Sequence, residues 1–151
     1  IDNDLTIKPE GNVPAAQTFI IENGDLNINS NITYGAAEYT NPNGVPSVAF
    51  IVINGNINIG ANVTQLDGIY MALNTENNDR GQIKSLPSGN LLTIHGSLIG
   101  NVIELFKNRT AVGDPRYDLG SVTIKYDERI LINTPPGIGE LINIQQAIVP
   151  N

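Results

Sequence analysis

The chain has 151 residues, 8 of them basic and 15 acidic, for a net charge of -7. That length suits one domain with a real core, and the shortage of Lys and Arg argues against a nucleic-acid backbone or an anionic membrane surface as partner. Cysteine is absent, which removes disulfides and thiolate metal sites, and no apolar run approaches the ~20 residues a membrane helix needs.

Only 15% of residues are charged, against about 25% in an ordinary soluble domain. Asn, about one residue in seven, supplies the polar surface instead. A polar surface with few charges suits dense packing between copies, because fewer charges must be desolvated at a contact. The chain begins at Ile1 and has no charged-then-apolar leader. A processed mature protein or a fragment is expected, with processing after export preferred.

Apolar residues alternate along the chain with period two. Leu5/Ile7 within Asp4–Lys8 predicts a first strand. A phrase then recurs: Phe19-Ile20-Ile21-Glu22-Asn23-Gly24-Asp25-Leu26-Asn27-Ile28, then Phe50-Ile51-Val52-Ile53-Asn54-Gly55-Asn56-Ile57-Asn58-Ile59, then Leu91-Leu92-Thr93-Ile94-His95-Gly96-Ser97-Leu98-Ile99-Gly100. Each copy is a β-branched or Leu-rich run, a Gly corner and a short second run. Such a unit cannot bury its apolar face alone, but stacked copies can. The predicted fold is all-β, a short right-handed parallel β-helix (solenoid), in one domain over residues 1–151. The alternative is a β-sandwich in which Asn23-Gly24 and Asn54-Gly55 are hairpin turns. Recurrence in one direction and Asn at equivalent corners, where side-chain amides can bond between rungs, favour the solenoid. Tyr34–Ser47, Asn74–Asn90 and Arg109–Gly120 read as polar loop insertions. Residues 1–10 and 138–151 read as terminal strands that cap the stack or pair with a neighbouring subunit.

From Ile53-Asn54-Gly55-Asn56-Ile57-Asn58-Ile59 and Asp67-Gly68-Ile69-Tyr70-Met71-Ala72, through Leu92 to Asn101, to Tyr126-Asp127-Glu128-Arg129 and Pro135-Pro136-Gly137, the chain resembles short right-handed β-helix domains of bacterial and archaeal cell-surface proteins. The resemblance implies a structural or adhesive role. It does not extend to β-helix polygalacturonases, since Asn-Thr-Asp, adjacent Asp-Asp and Gly-His-Gly are all missing.

Chemistry-bearing residues are sparse. Asp67 at a Gly turn is one carboxylate where Ca²⁺ needs six to eight oxygens, so bonding to local backbone N–H groups is expected. Asp114, Arg116, Tyr117 and Asp118 form the densest charged loop, and an acid pair near Arg could act on acidic sugars; a solvated loop is the preferred reading. The same preference applies to Asp127, Glu128 and Arg129, where Tyr126 and Ile130 suggest a strand edge. His95, the one histidine, cannot form a His-rich zinc site and is expected to be hydrogen-bonded locally. Asn31, Asn62 and Asn108 stand in N-x-[ST] sequons, which an Asn- and Thr-rich chain also generates by chance, the preferred reading.

The expected function is a structural subunit of an extracellular or cell-surface filament, pilus or surface layer. Subunits would be joined by strand addition through Leu5, Ile7, Leu141, Ile142, Ile144 and Ile148. The second expectation is a carbohydrate-binding module with Tyr34, Tyr39 and Tyr117 as glycan contacts. No cofactor, nucleic acid or membrane insertion is expected. The partners are copies of the chain and surface glycans.

Overall fold

The computed structural model describes residues 1–10, 14–36, 40–76, 78–109 and 121–139. Among the described residues ten strands are parallel wherever they pair: β1 (Leu5–Ile7), β2 (Ala16–Glu22), β3 (Leu26–Ile28), β4 (Ile32–Tyr34), β5 (Ser47–Ile53), β6 (Ile57–Ile59), β7 (Gln65–Leu73), β8 (Ile83–Ser85), β9 (Leu92–Ile99) and β10 (Val122–Lys125). They stack as a β-solenoid of about four turns, so the face-to-face sandwich is excluded.

Three columns of strands make the walls. β2, β5 and the C-terminal halves of β7 and β9 form the first, in the register Phe19↔Phe50↔Tyr70↔Leu98. β3, β6 and β8 form the second, with Leu26↔Ile57↔Ile83. β1, β4, the N-terminal halves of β7 and β9, and β10 form the third, through Leu5↔Ile32↔Leu66↔Ile94↔Ile124. β7 and β9 therefore turn a corner within one strand. They turn at Gly68 and Gly96, whose φ values of +127° and +148° disfavour any residue with a Cβ.

Side chains of one parity point inward and meet from rung to rung. Ile28, Ile32, Val52, Ile57, Leu66, Ile83 and Ile94 are sealed in this core, and Phe50 lies between Phe19 and Tyr70 with ring centroids 5.2 and 5.5 Å away. Helix α1 (Ile103–Asn108) takes the place of a fourth strand on the second column and drives Leu105 into the end of the core. Parallel bridges Gln82↔Asn101 and Ser88↔Arg109 flank it. Helix α2 (Arg129–Ile132) and the segment after it return over the outside of the first column. Ile130 and Ile138 there cover Ala49, Ile51, Ile69 and Met71. Burial on both faces explains the unbroken apolar run of β5.

Asn and Asp corners join successive rungs. A side-chain oxygen accepts from a backbone N–H one turn on at Asp4 to Asn31, Asp25 to Asn56, Asn31 to Thr64 and Gln65, and Asn54 to Thr75, all at 2.8–3.0 Å. Asn58 Nδ2 also donates to Asn27 Oδ1 at 2.8 Å. These bonds satisfy corner donors that no ladder reaches. Only Asn23 and Asn54 of the two Asn-Gly corners have positive φ, 56° in each case. Type I′ hairpins need positive φ at both central residues, so these are bends and not hairpins.

Four sequence expectations are corrected. The third copy of the phrase is out of phase: Gly96 stacks on Gly68, not on Gly55, because Leu92–His95 belong to the third column. Asn74–Asn90 is not one loop, since Ile83–Ser85 is β8, with Ile83 and Ser85 buried. Tyr34 closes strand β4 and is not in a loop. Arg129–Ile132 is a helical turn, not a strand edge; it lets Ile130 reach the second apolar cluster.

Candidate functional site

Two features stand out among the described residues: the uncovered ends of the first column and a polar cleft at a rung corner. At the N-terminal end the second and third columns are covered by the chain itself. The Ile1 ammonium donates to Asn27 O and Asn29 N–H donates to Ile1 O, both at 2.8 Å, while β1 pairs with β4. Among the described residues β2 has β5 on one edge and no strand on the other. Phe19 and Ile20 lie 41% and 61% exposed there. At the other end α1 covers the second column and β10 the third, whereas Ser97–Ile99 of β9 have no described strand beyond them, and Ile99 is 44% exposed. Both unpaired edges therefore belong to the same column.

The cleft has a volume of about 180 Å³ and is lined by Asp67, His95, Tyr126, Asp127 and Arg129. The register stacks Asp67-Gly68 under His95-Gly96, which brings the two side chains together on the outside of the third column. Asp67 is buried and fully engaged. Its Oδ2 accepts from Tyr34 N–H at 2.7 Å, and its Oδ1 lies 2.9 Å from both Gln65 Nε2 and His95 Nδ1. Two of these partners, Tyr34 and His95, come from other rungs and the third, Gln65, from the same strand, so none is the backbone N–H of a local turn that the sequence suggested. The bond to Nδ1 leaves His95 Nε2 as the ring nitrogen open to a ligand.

Tyr126 and Asp127 come from the turn between β10 and α2, and Arg129 is the first residue of α2. Arg129 lies over the Tyr34 ring, 5.0 Å from its centroid. Burial holds the Tyr34 phenol above its ordinary pKa, although its Oη accepts from Val48 N–H at 3.1 Å. Asp127 is 8% exposed; its Oδ1 accepts from Arg129 N–H at 3.1 Å, and its Oδ2 has no partner among the described residues. Burial pushes its carboxyl pKa up, with the Arg129 N–H and guanidinium acting against that. No group of metal-ligating side chains among the described residues is arranged to hold an ion.

Elsewhere Arg109, 1% exposed, is a structural clamp. Its guanidinium donates to Ser85 Oγ at 2.7 Å, Val63 O at 2.8 Å and Gly60 O at 2.7 Å. Burial lowers its pKa.

The other candidates from sequence fall as follows. Ile7 is buried in the chain's own core and Leu5 packs against it, so neither apolar side chain of β1 is free for a neighbour, and Thr6 is the exposed one. Tyr34 lies beneath Arg129, half-buried. Asn62 is exposed, Asn31 uses its Oδ1 between rungs, and Asn108 Nδ2 donates to Ser85 O at 2.9 Å. Tyr39, Asp114, Arg116, Tyr117, Asp118, Leu141, Ile142, Ile144 and Ile148 lie outside the described residues. The Asp67–His95–Asp127 grouping was missed by sequence reasoning. The available signal was the recurrence of a polar residue before Gly in Asp67-Gly68 and His95-Gly96.

No known protein family matches the chain, and neither a curated protein nor a solved structure does.

Proposed function

We propose that the protein is a structural subunit that joins copies of itself end to end in an extracellular filament or layer. The observation that carries this reading is that the two end edges left unpaired among the described residues, β2 and Ser97–Ile99, lie on one column. Translation of one copy along the solenoid axis sets the β9 edge of one molecule against the β2 edge of the next. Leu98 then continues the Phe19–Phe50–Tyr70 column in the neighbour. Main-chain hydrogen bonds would hold the joint and the inward apolar residues would fix its register. The joint uses two different surfaces, so it propagates as an open chain instead of closing into a dimer. Natural edge strands are commonly blunted by Lys, Pro or bulges. β2, Ala-Gln-Thr-Phe-Ile-Ile-Glu, carries neither Lys nor Pro. The low charge and Asn-rich surface fit the same role.

Phe19→Lys and Ile99→Lys, one at each end, test the reading without removing Ile1–Ile7, whose loss would uncover Ile28 and Ile32. By electron microscopy and sedimentation, the wild type should assemble with rising concentration and each variant should stay monomeric. An equimolar mixture of the two variants should stop at heterodimers, because only one intact joint remains. A wild type that is monomeric throughout, or variants that assemble as it does, would overturn the proposal.

A further inference from the structure

The cleft plays no part in end-to-end joining, yet one of its lining residues carries a carboxylate oxygen that is deeply buried and has no partner among the described residues. A buried acceptor left without a donor is unfavourable, and its place beside a concave site suits a donor from a bound molecule. Asp127 Oδ2 is that acceptor. His95 and Arg129 line the same space, and Tyr126, 62% exposed, stands at its side.

We propose that the cleft binds one neutral, hydroxyl-rich ring, a single pyranose unit of a glycan. The mixture of groups selects this chemistry. A hydroxyl both donates and accepts, so one can donate to Asp127 Oδ2 once a small rotation of the carboxyl turns that sealed oxygen into the cleft, while a neighbour accepts from the Arg129 guanidinium. His95 Nε2 serves either role, and Asp67 holds its ring in place through Nδ1. The Tyr126 ring offers an apolar face beside these polar groups. A small anion would meet the carboxylates of Asp67 and Asp127, and a small cation would meet Arg129. About 180 Å³ is below the ~300 Å³ at which pockets enclose drug-sized ligands, and suits one ring with the rest of a chain outside.

Saturation-transfer-difference NMR on the full chain tests this whether or not it assembles, because the readout is on the small molecule. The probes are the methyl glycosides of glucose, galactose, mannose and N-acetylglucosamine, with acetate and ethylammonium as charged comparators. At least one glycoside should give saturable transfer with a dissociation constant in the millimolar range. Asp127→Asn should weaken it at least tenfold and Tyr126→Ala at least fivefold. Tyr126→Ala removes an exposed side chain, so loss there does not reflect unfolding, and circular dichroism checks both variants. No saturable transfer from any glycoside, affinity unchanged in both variants, or tighter binding of acetate or ethylammonium would each overturn the assignment. Failure here leaves end-to-end assembly standing, since Phe19 and Ile99 lie outside the cleft.

Discussion

Gly96 lies against Gly68 so closely that a Cβ on Gly96 would sit 1.8 Å from the Gly68 carbonyl oxygen. The same contact recurs at the other corner, where a Cβ on Gly55 would lie 1.9 Å from Gly24 O. Close backbone approach at stacked corners is what lets adjacent rungs keep hydrogen-bonding distance through a bend.

Gly96→Ala is therefore expected to lower stability by about 3 kcal/mol or more, since it adds a backbone clash to an unfavourable positive φ. Gly137→Ala, with nothing within 4 Å of the added carbon, carries only the φ penalty, and should cost about 1–2 kcal/mol. Urea unfolding of the two variants beside the wild type measures the difference. Equal midpoints for the two would contradict the stacking.

Arg109→Met keeps the length of the side chain and removes its donors. Gly60 O and Val63 O lose their side-chain donor inside the stack, and the expected loss is roughly 3 kcal/mol. Arg109→Lys should recover only part of it, because one ammonium cannot span Ser85 Oγ, Val63 O and Gly60 O as the fork does. Thermal melts of both variants give the ranking.

Burial raises the Asp127 carboxyl pKa in the folded chain, against opposition from Arg129, while Asp67 adds to the rise and His95 opposes it. The folded state thus holds this proton more tightly than the unfolded state does. The stability it confers is fully present below the ordinary carboxylate range and is lost as pH rises through the folded pKa. Asp127→Asn removes that loss, and should stabilise the protein by about 1 kcal/mol at pH 7. The gain should shrink as pH falls towards the ordinary Asp value. Denaturation of both proteins from pH 3 to 8 checks the sign. A variant less stable than wild type at pH 7 and recovering at higher pH would contradict it.

In a host that glycosylates N-x-[ST] sequons, Asn62 should be modified in the folded protein and Asn108 should not. Asn62 is exposed, whereas the Asn108 amide donates to Ser85 O and its neighbour Arg109 is buried. Peptide mass spectrometry of the soluble fraction reads both sites. Full occupancy at Asn108 would mean that this hydrogen bond does not hold the amide.

Parallel stacking was legible from residue order alone. The runs Phe19–Ile28 and Phe50–Ile59 carry the same corner at the same offset, and the structure pairs Phe19 with Phe50 and Leu26 with Ile57 as that offset requires. Local backbone preference suffices for this: β-branched runs extend, Asn accepts the left-handed bend, and Gly lets corners touch. The phase of Leu91–Gly100 was not legible, because the length of chain between corners sets which column a strand joins. The cleft lay further out of reach. Asp67, His95 and Asp127 are far apart in sequence, and meet only because parallel register puts Gly96 on Gly68 and the turn after β10 folds back across them. A repeat specifies the conformation of each coil through short-range sterics and hydrogen bonding. Which outward side chains share a site depends on how many residues separate the coils and on what the final segment packs against, and those are settled by long-range packing.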